Sequence, residues 1–284
     1  MRTTLQQALL QAHHQGLERI DAQMLLLHAI GQPGAGRAWL LTHDSDVLSA
    51  AQQTEFARLC AQRLDGVPVA YLTGCKEFFG LPLQVDARVL DPRPDTETLV
   101  EWALEVAEKM VSPALIDLGT GSGAIALALQ SQRPDATVTA VDFSHDALDV
   151  AQANARRLQL PVRFVQSSWL EQVLGVFDVI ASNPPYIRED DVHMAALRHE
   201  PRQALTSGAD GLDDIRAIIA QAPAHLTAEG WLLIEHGWDQ AQAVQQLLHN
   251  AGFRHVQSRQ DLAGIERCTG GQSPAATIPT QTVK

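Results

Sequence analysis

The residues best equipped for chemistry lie at three places where an apolar run ends. The first is Ser182-Asn183-Pro184-Pro185-Tyr186. Two consecutive prolines fix the backbone, so the Asn183 side chain and the Pro184 carbonyl are held rigid. Together they can accept both hydrogens of one planar –NH₂ group, and Tyr186 can lie on the face of that group. A proline-rich turn explains the prolines, but not an Asn before them and an aromatic after. The second place is Asp117-Leu118-Gly119-Thr120-Gly121-Ser122-Gly123. Glycines there let the backbone approach a ligand, and a following helix offers free N–H groups. A plain tight turn would read the same way. Ala124 meets only the looser dinucleotide fingerprint, and no Lys-Ser/Thr follows to make a phosphate loop. The third place is Asp142, about twenty residues beyond the glycines, where an acid can accept from both ribose hydroxyls of an adenosine ligand. Asp142 or Ser144 could equally cap the next helix.

Strands and helices must bring these places together. After Pro113 the pattern alternates: strands over 114–118, 137–141, 162–165, 177–181 and 231–234, with a further one over 253–258. Helical patterns fall between them over 123–132, 144–158, 213–226 and 240–250. This alternation predicts an α/β domain with a parallel sheet covered by helices on both faces. Upstream, Thr3 or Thr4 can cap one helix, Asp21 a second that stops at Gly31, and 49–64 reads as a third. Residues 1–66 are thus expected to form a helical N-terminal domain that docks a partner, and 67–91 a hairpin-like linker. Residues 92–284 complete the α/β domain, ending beyond Arg267 in a Gly-, Ser- and Thr-rich tail expected to be mobile.

Nearly the whole chain resembles the HemK/PrmC family of protein-glutamine methyltransferases. The resemblance is carried by Gly66–Gly74, Glu77–Leu81, Pro92-Arg93-Pro94-Asp95-Thr96-Glu97, Asp117–Gly123, Asn183–Tyr186, Glu200–Leu205 and Asp261–Gly264. It implies a class I, Rossmann-like methyltransferase fold, with a seven-stranded sheet whose last strand is antiparallel, preceded by a small helical domain. It implies S-adenosyl-L-methionine as cofactor, bound by Gly119, Thr120, Gly121, Ser122, Gly123, Asp142, Trp169 and Asn183. The family often has Asp where this chain has Ser168, before a matching Trp169. The implied substrate is the glutamine of the Gly-Gly-Gln loop of class 1 peptide chain release factors. Asn183, Pro184, Pro185 and Tyr186 would bind its amide, with Asn183, Pro184 and Tyr186 catalytic through positioning. Gly270-Gly271-Gln272 repeats that target tripeptide in the expected tail, which reads either as coincidence or as a tethered pseudosubstrate.

Composition narrows the alternatives. The 284 residues are 45% apolar and 19% charged, as in a globular domain. Lys and Arg number 21 against 33 Asp and Glu, a net charge of −12. That disfavours a direct nucleic-acid partner, and with it methylation of an exocyclic amino group in RNA or DNA, which the Asn183–Tyr186 motif would otherwise serve. A cofactor-binding module without catalysis would not need that motif. Cys60, Cys75 and Cys268 show no metal-ligand spacing, and the eleven histidines form no HxxxH pair, so no metal is expected. Sparse cysteines and the lack of a long apolar run predict a cytoplasmic protein without a membrane span.

Overall fold

The computed structural model describes residues 3–273. Two compact units form, one from residues up to Cys75 with Ala195–His199, the other from Lys76–Met194 and onward from Glu200. The first holds α1 (Leu5–His14), α2 (Arg19–Ala29), α3 (Arg37–Thr42), α4 (Ala50–Leu64) and α5 (Val69–Thr73). Thr4 and Ser49 open α1 and α4 with reciprocal capping boxes to Gln7 and Gln52. Asp21 does not cap: α2 begins two residues before it, and its carboxylate accepts from Arg63 Nε at 2.6 Å. The apolar stripes of these helices meet in a core of Leu5, Leu25, Leu26, Phe56 and Leu59. The segment expected as a linker from residue 67 opens with the helix α5 instead, which stops at Gly74.

The second unit starts with the hairpin of β1 (Cys75–Phe78) and β2 (Leu81–Gln84), then α6 (Glu97–Ala107). Alternation follows: β3 (Ala114–Leu118), α7 (Ala124–Gln132), β4 (Thr137–Asp142), α8 (His145–Leu158), β5 (Arg163–Gln166) and β6 (Phe177–Ser182). Then come α9 (Asp213–Gln221), β7 (Leu226–Glu235), α10 (Ala241–Asn250), β8 (Arg254–Gln260) and β9 (Glu266–Gln272). The seven strands lie in the order β5-β4-β3-β6-β7-β9-β8. The first five are parallel, and β9 runs antiparallel to both its neighbours. β3 and β6 are almost continuously apolar and buried, as strands covered on both faces must be. The chain runs outward from β3 through β4 to β5, then returns to place β6 on β3's other side. Their C-terminal ends therefore flank the crevice where sheets of this kind bind ligands. Ser182 Oγ donates to the Leu118 carbonyl at 2.8 Å across that crevice.

The expected tail is corrected by β9. Gly270 and Gly271 pair with Leu233 and Leu232 of β7 and are buried. A Cβ on Gly270 would meet Leu233 Cδ2 at 2.5 Å and the Leu232 carbonyl oxygen at 2.8 Å, so only a bare backbone fits. Gln272 Nε2 donates to the Glu229 carbonyl at 3.0 Å. The Gly-Gly-Gln tripeptide is part of the sheet, and the pseudosubstrate reading falls with the tail it needed. Residues 274–284, the remainder of that expected tail, lie outside the described residues.

Candidate active site

β3 leads into the glycine loop through Asp117, which is fully buried. Asp117 Oδ2 accepts from the Thr120 hydroxyl at 2.6 Å and from the Ala126 N–H at 3.2 Å, binding the loop to the first turn of α7. Oδ1 has no partner, and burial pushes this carboxyl up to about 7. Gly119 has φ +74°, and a Cβ there would lie 3.3 Å from the Trp169 ring, so the missing side chain is what lets Trp169 rest against the loop.

β4 ends in Asp142, and here the two readings of that acid separate. Ser144 is the helix cap, its Oγ accepting from the Ala147 N–H at 3.2 Å. Asp142 instead accepts from Gly121 N–H at 2.8 Å and Ser144 N–H at 2.9 Å, so it ties the glycine loop to the neighbouring strand. Burial raises its pKa while the backbone donors of Gly121, Ser144 and Phe143 oppose the shift. A carboxylate has about four lone-pair sites, so each oxygen keeps capacity for a ligand hydroxyl.

A cleft of about 240 Å³ opens at this edge of the sheet. Of the residues singled out in the sequence, Gly119, Gly121, Asp142, Trp169, Asn183 and Pro185 line it. Phe143, Ser144, Ser167, Ser168, Val89 and Gln203 join them. Thr120, Ser122, Gly123, Pro184 and Tyr186 lie outside this lining. Thr120 and Ser122 are buried in the loop, and Gly123 is the N-cap of α7. Phe143 could have been suspected, as an aromatic directly after a strand-ending acid, left 72% exposed.

Asn183 follows β6, and its Nδ2 donates to Thr96 Oγ1 at 3.0 Å. Thr96 is itself buried, immediately ahead of α6. The Tyr186 hydroxyl faces Glu235 Oε1 at 3.5 Å, and burial together with that carboxylate pushes the phenol upward. The loop itself is held by Gln240, whose Nε2 donates to the Tyr186 carbonyl at 3.0 Å. Thr96 and Glu235 carried no signal of this kind in the sequence beyond Thr96's place in the Pro92–Glu97 block. Away from the cleft lining, one trio could converge on a cation: His145, Asp146 and Asp149 on α8, all exposed.

Comparison with known proteins decides the family. Residues 4–74 match the PrmC N-terminal domain, and residues 95–261 the Methyltransferase small domain. The release factor glutamine methyltransferase of Xylella fastidiosa (strain Temecula1) is 49% identical over 271 residues, covering 94% of this chain and 98% of that protein. That of Bordetella pertussis is 48% identical over 260 residues, covering 90% and 95%. The chain belongs to the release factor glutamine methyltransferase family.

Solved structures share the fold of this family member. The hMettl16 catalytic domain aligns with TM-score 0.56 at 14% identity, covering 75% of this chain and 81% of that one. A Thermus thermophilus 16S rRNA N2 G1207 methyltransferase aligns with TM-score 0.54 at 19% identity, covering 70% and 49%. The family's methyltransferase domain takes S-adenosylmethionine as cofactor. The cleft of this family member fits it: a half-buried acid at a strand end, Gly119 and Gly121 presenting bare backbone, and aromatic walls in Trp169 and Phe143. Among the described residues no helix is long and apolar enough to cross a membrane.

Proposed function

We propose that this chain transfers a methyl group from S-adenosyl-L-methionine to the side-chain amide nitrogen of the glutamine in the Gly-Gly-Gln motif of class 1 peptide chain release factors, and so modulates translation termination. The observation that carries this reading is the polarity of Asn183. Its Nδ2 is engaged by Thr96, which leaves Oδ1 as an acceptor beside the cleft and the glycine loop.

An amide is a poor nucleophile because its nitrogen lone pair is delocalised into the carbonyl. Asn183 Oδ1 and the Pro184 carbonyl would accept the two N–H bonds of the substrate, raise electron density on nitrogen and fix its direction of approach. Tyr186 would pack on the face of the amide. The cofactor supplies an already activated sulfonium methyl group. Gly119, Gly121, Asp142, Trp169 and Asn183 would hold it, with Thr120, Ser122 and Gly123 shaping the loop behind them. No base is required before transfer, since the amide nitrogen becomes acidic once alkylated. The described cysteines are free thiols, which supports a reducing, cytoplasmic setting.

Mass spectrometry of a release factor incubated with enzyme and cofactor tests the reading. One added methyl group on the glutamine of its Gly-Gly-Gln motif is expected. An unmodified glutamine, with methyl transfer to naked RNA or DNA instead, would move the assignment to an exocyclic amino group.

A further inference from the structure

We propose that the Arg93–Glu200 ion pair is a latch between two segments of the cleft wall, and that it sets how fast the cofactor leaves. Arg93 and Glu200 are then positioning residues, without a part in the proposed chemistry. The inference rests on the placing of S-adenosylmethionine in this cleft, and not on the identity of the methyl acceptor. Two short segments far apart in sequence line the cleft together with the glycine loop and Asp142. One is Arg88, Val89 and Leu90, after the β1–β2 hairpin. The other is Pro201, Gln203 and Ala204, in the long connection from β6 to α9. Neither belongs to a strand or to an α-helix.

The second segment does not fix its own place. Its backbone hydrogen bonds turn back on themselves, from Ala204 N–H to the Pro201 carbonyl at 2.9 Å and from Leu205 N–H to the Arg202 carbonyl at 3.0 Å. What positions it lies at its flanks. Downstream, Ile187 N–H donates to the Leu205 carbonyl and Ser207 N–H to the Ile187 carbonyl, both at 2.9 Å. These bonds fasten it just behind Tyr186. Upstream, the two carboxylate oxygens of Glu200 reach across to the first segment. Oε1 accepts from Arg93 Nη2 at 2.6 Å, and Oε2 from the Asp91 N–H at 3.3 Å. Asp91 directly follows Leu90, and Pro201 directly follows Glu200, so the latch adjoins the cleft lining on both sides.

The Glu200 side chain is 4% exposed and that of Arg93 36%. A buried carboxylate is tolerated only when its oxygens are satisfied, and here each has its own donor. Gln at this position would offer one acceptor oxygen to two donors. The Arg93 fork serves a second acid as well, with Nη1 3.6 Å from Asp91 Oδ2. Lys76 Nζ stands 3.5 Å from Asp91 Oδ1, a buried oxygen without a hydrogen-bond partner, so this acid is held by charge. A single ammonium in place of Arg93 could not bridge both carboxylates. Water already reaches Arg93 and can take over its charge when the pair parts. The glycine loop and Asp142 are tied to one another and to α7, so they keep their places meanwhile.

Glu200→Gln and Arg93→Lys keep the bulk of the pair, and each drops part of its bonding. A rapid-mixing chase of radiolabelled S-adenosylmethionine should show dissociation roughly tenfold faster in both, with association no slower than in the wild type. The double variant should release the cofactor no faster than the quicker single one, because the latch is already open. A merely structural role would lower Tm and the fraction of protein able to bind, without quickening dissociation. Dissociation within about twofold of the wild type in a folded variant overturns the proposal, as does weaker binding that comes wholly from slower association. The wild type gives a further test. If the cofactor leaves only through the open latch, saturating S-adenosylhomocysteine should slow hydrogen exchange of the Asp91 amide roughly tenfold or more. Unchanged exchange there overturns the proposal even if neither variant folds. None of these measurements needs a release factor. Faster cofactor release in the variants beside an unmodified release factor would support the latch and sink the substrate assignment alone.

Discussion

At Asp142 one carboxylate serves two masters, the Gly121 and Ser144 N–H groups on one side and the cleft on the other. Asp142→Ala removes an acceptor for the cofactor ribose and the tie that holds the glycine loop. A loss of about 1–3 kcal/mol, or roughly 5- to 150-fold in cofactor affinity, is expected by calorimetry. Asn183→Ala should do the reverse, lowering kcat by ~10²–10³ while cofactor affinity stays within a few-fold. Single-turnover kinetics beside calorimetry separates the two. Variants with the same pattern of losses would show that the cleft has no such division between holding the cofactor and orienting the amide.

At the scale of elements, β9 makes the sharpest prediction. Gly270→Ala places a Cβ against Leu233 and the Leu232 carbonyl, and overpacking of this kind costs about 1–3 kcal/mol, readable as a lowered Tm. Gln272→Ala, at the strand's end, should shift stability by no more than about 0.5 kcal/mol and leave the KM for release factor unchanged. The strands that were legible in the sequence, such as Ala114–Leu118 and Phe177–Ser182, are apolar runs bounded by glycine or proline. β9 reads Glu-Arg-Cys-Thr-Gly-Gly-Gln, with no alternation and small residues typical of a loop. Its place is decided by what packs against it, Leu233 and Trp102, which lie far away in sequence. α5 is only five residues long, too short for a helical period to appear. The same contrast holds in the site. Asp142 announces itself at a strand end about twenty residues beyond the glycines, and Asn183 at a strand end before two prolines. Thr96 acts on a partner 87 residues away, and Glu235 closes an apolar strand without any motif around it.

For the whole molecule, two buried acids set the pH dependence of stability. Asp117 and Glu235 are both held up to about 7, in each case chiefly by burial, against ordinary values of 3.8 and 4.5. The folded state binds these protons more tightly than the unfolded chain. Their contribution is therefore fully present below about pH 4 and is lost as pH rises to about 7. Exposed Asp135, held low by Arg133, and Asp261, held low by the Ile265 N–H, act in the opposite sense at lower pH. Stability should peak in mildly acidic solution, and Asp117→Asn should flatten the decline toward pH 8 in urea titrations. An unchanged slope between pH 5 and 8 in that variant would remove Asp117 from the account. The strand order has a further consequence for motion. β8 touches the sheet only through β9, so any fluctuation that lifts β9 from β7 frees β8 as well. The two strands must then open as one cooperative unit, with backbone amides exchanging together. Because Cys268 pairs with Glu235 across that seam, each opening also brings water to the buried acid. A breathing sheet edge thus becomes a route by which solvent protons reach the interior at the end of β7.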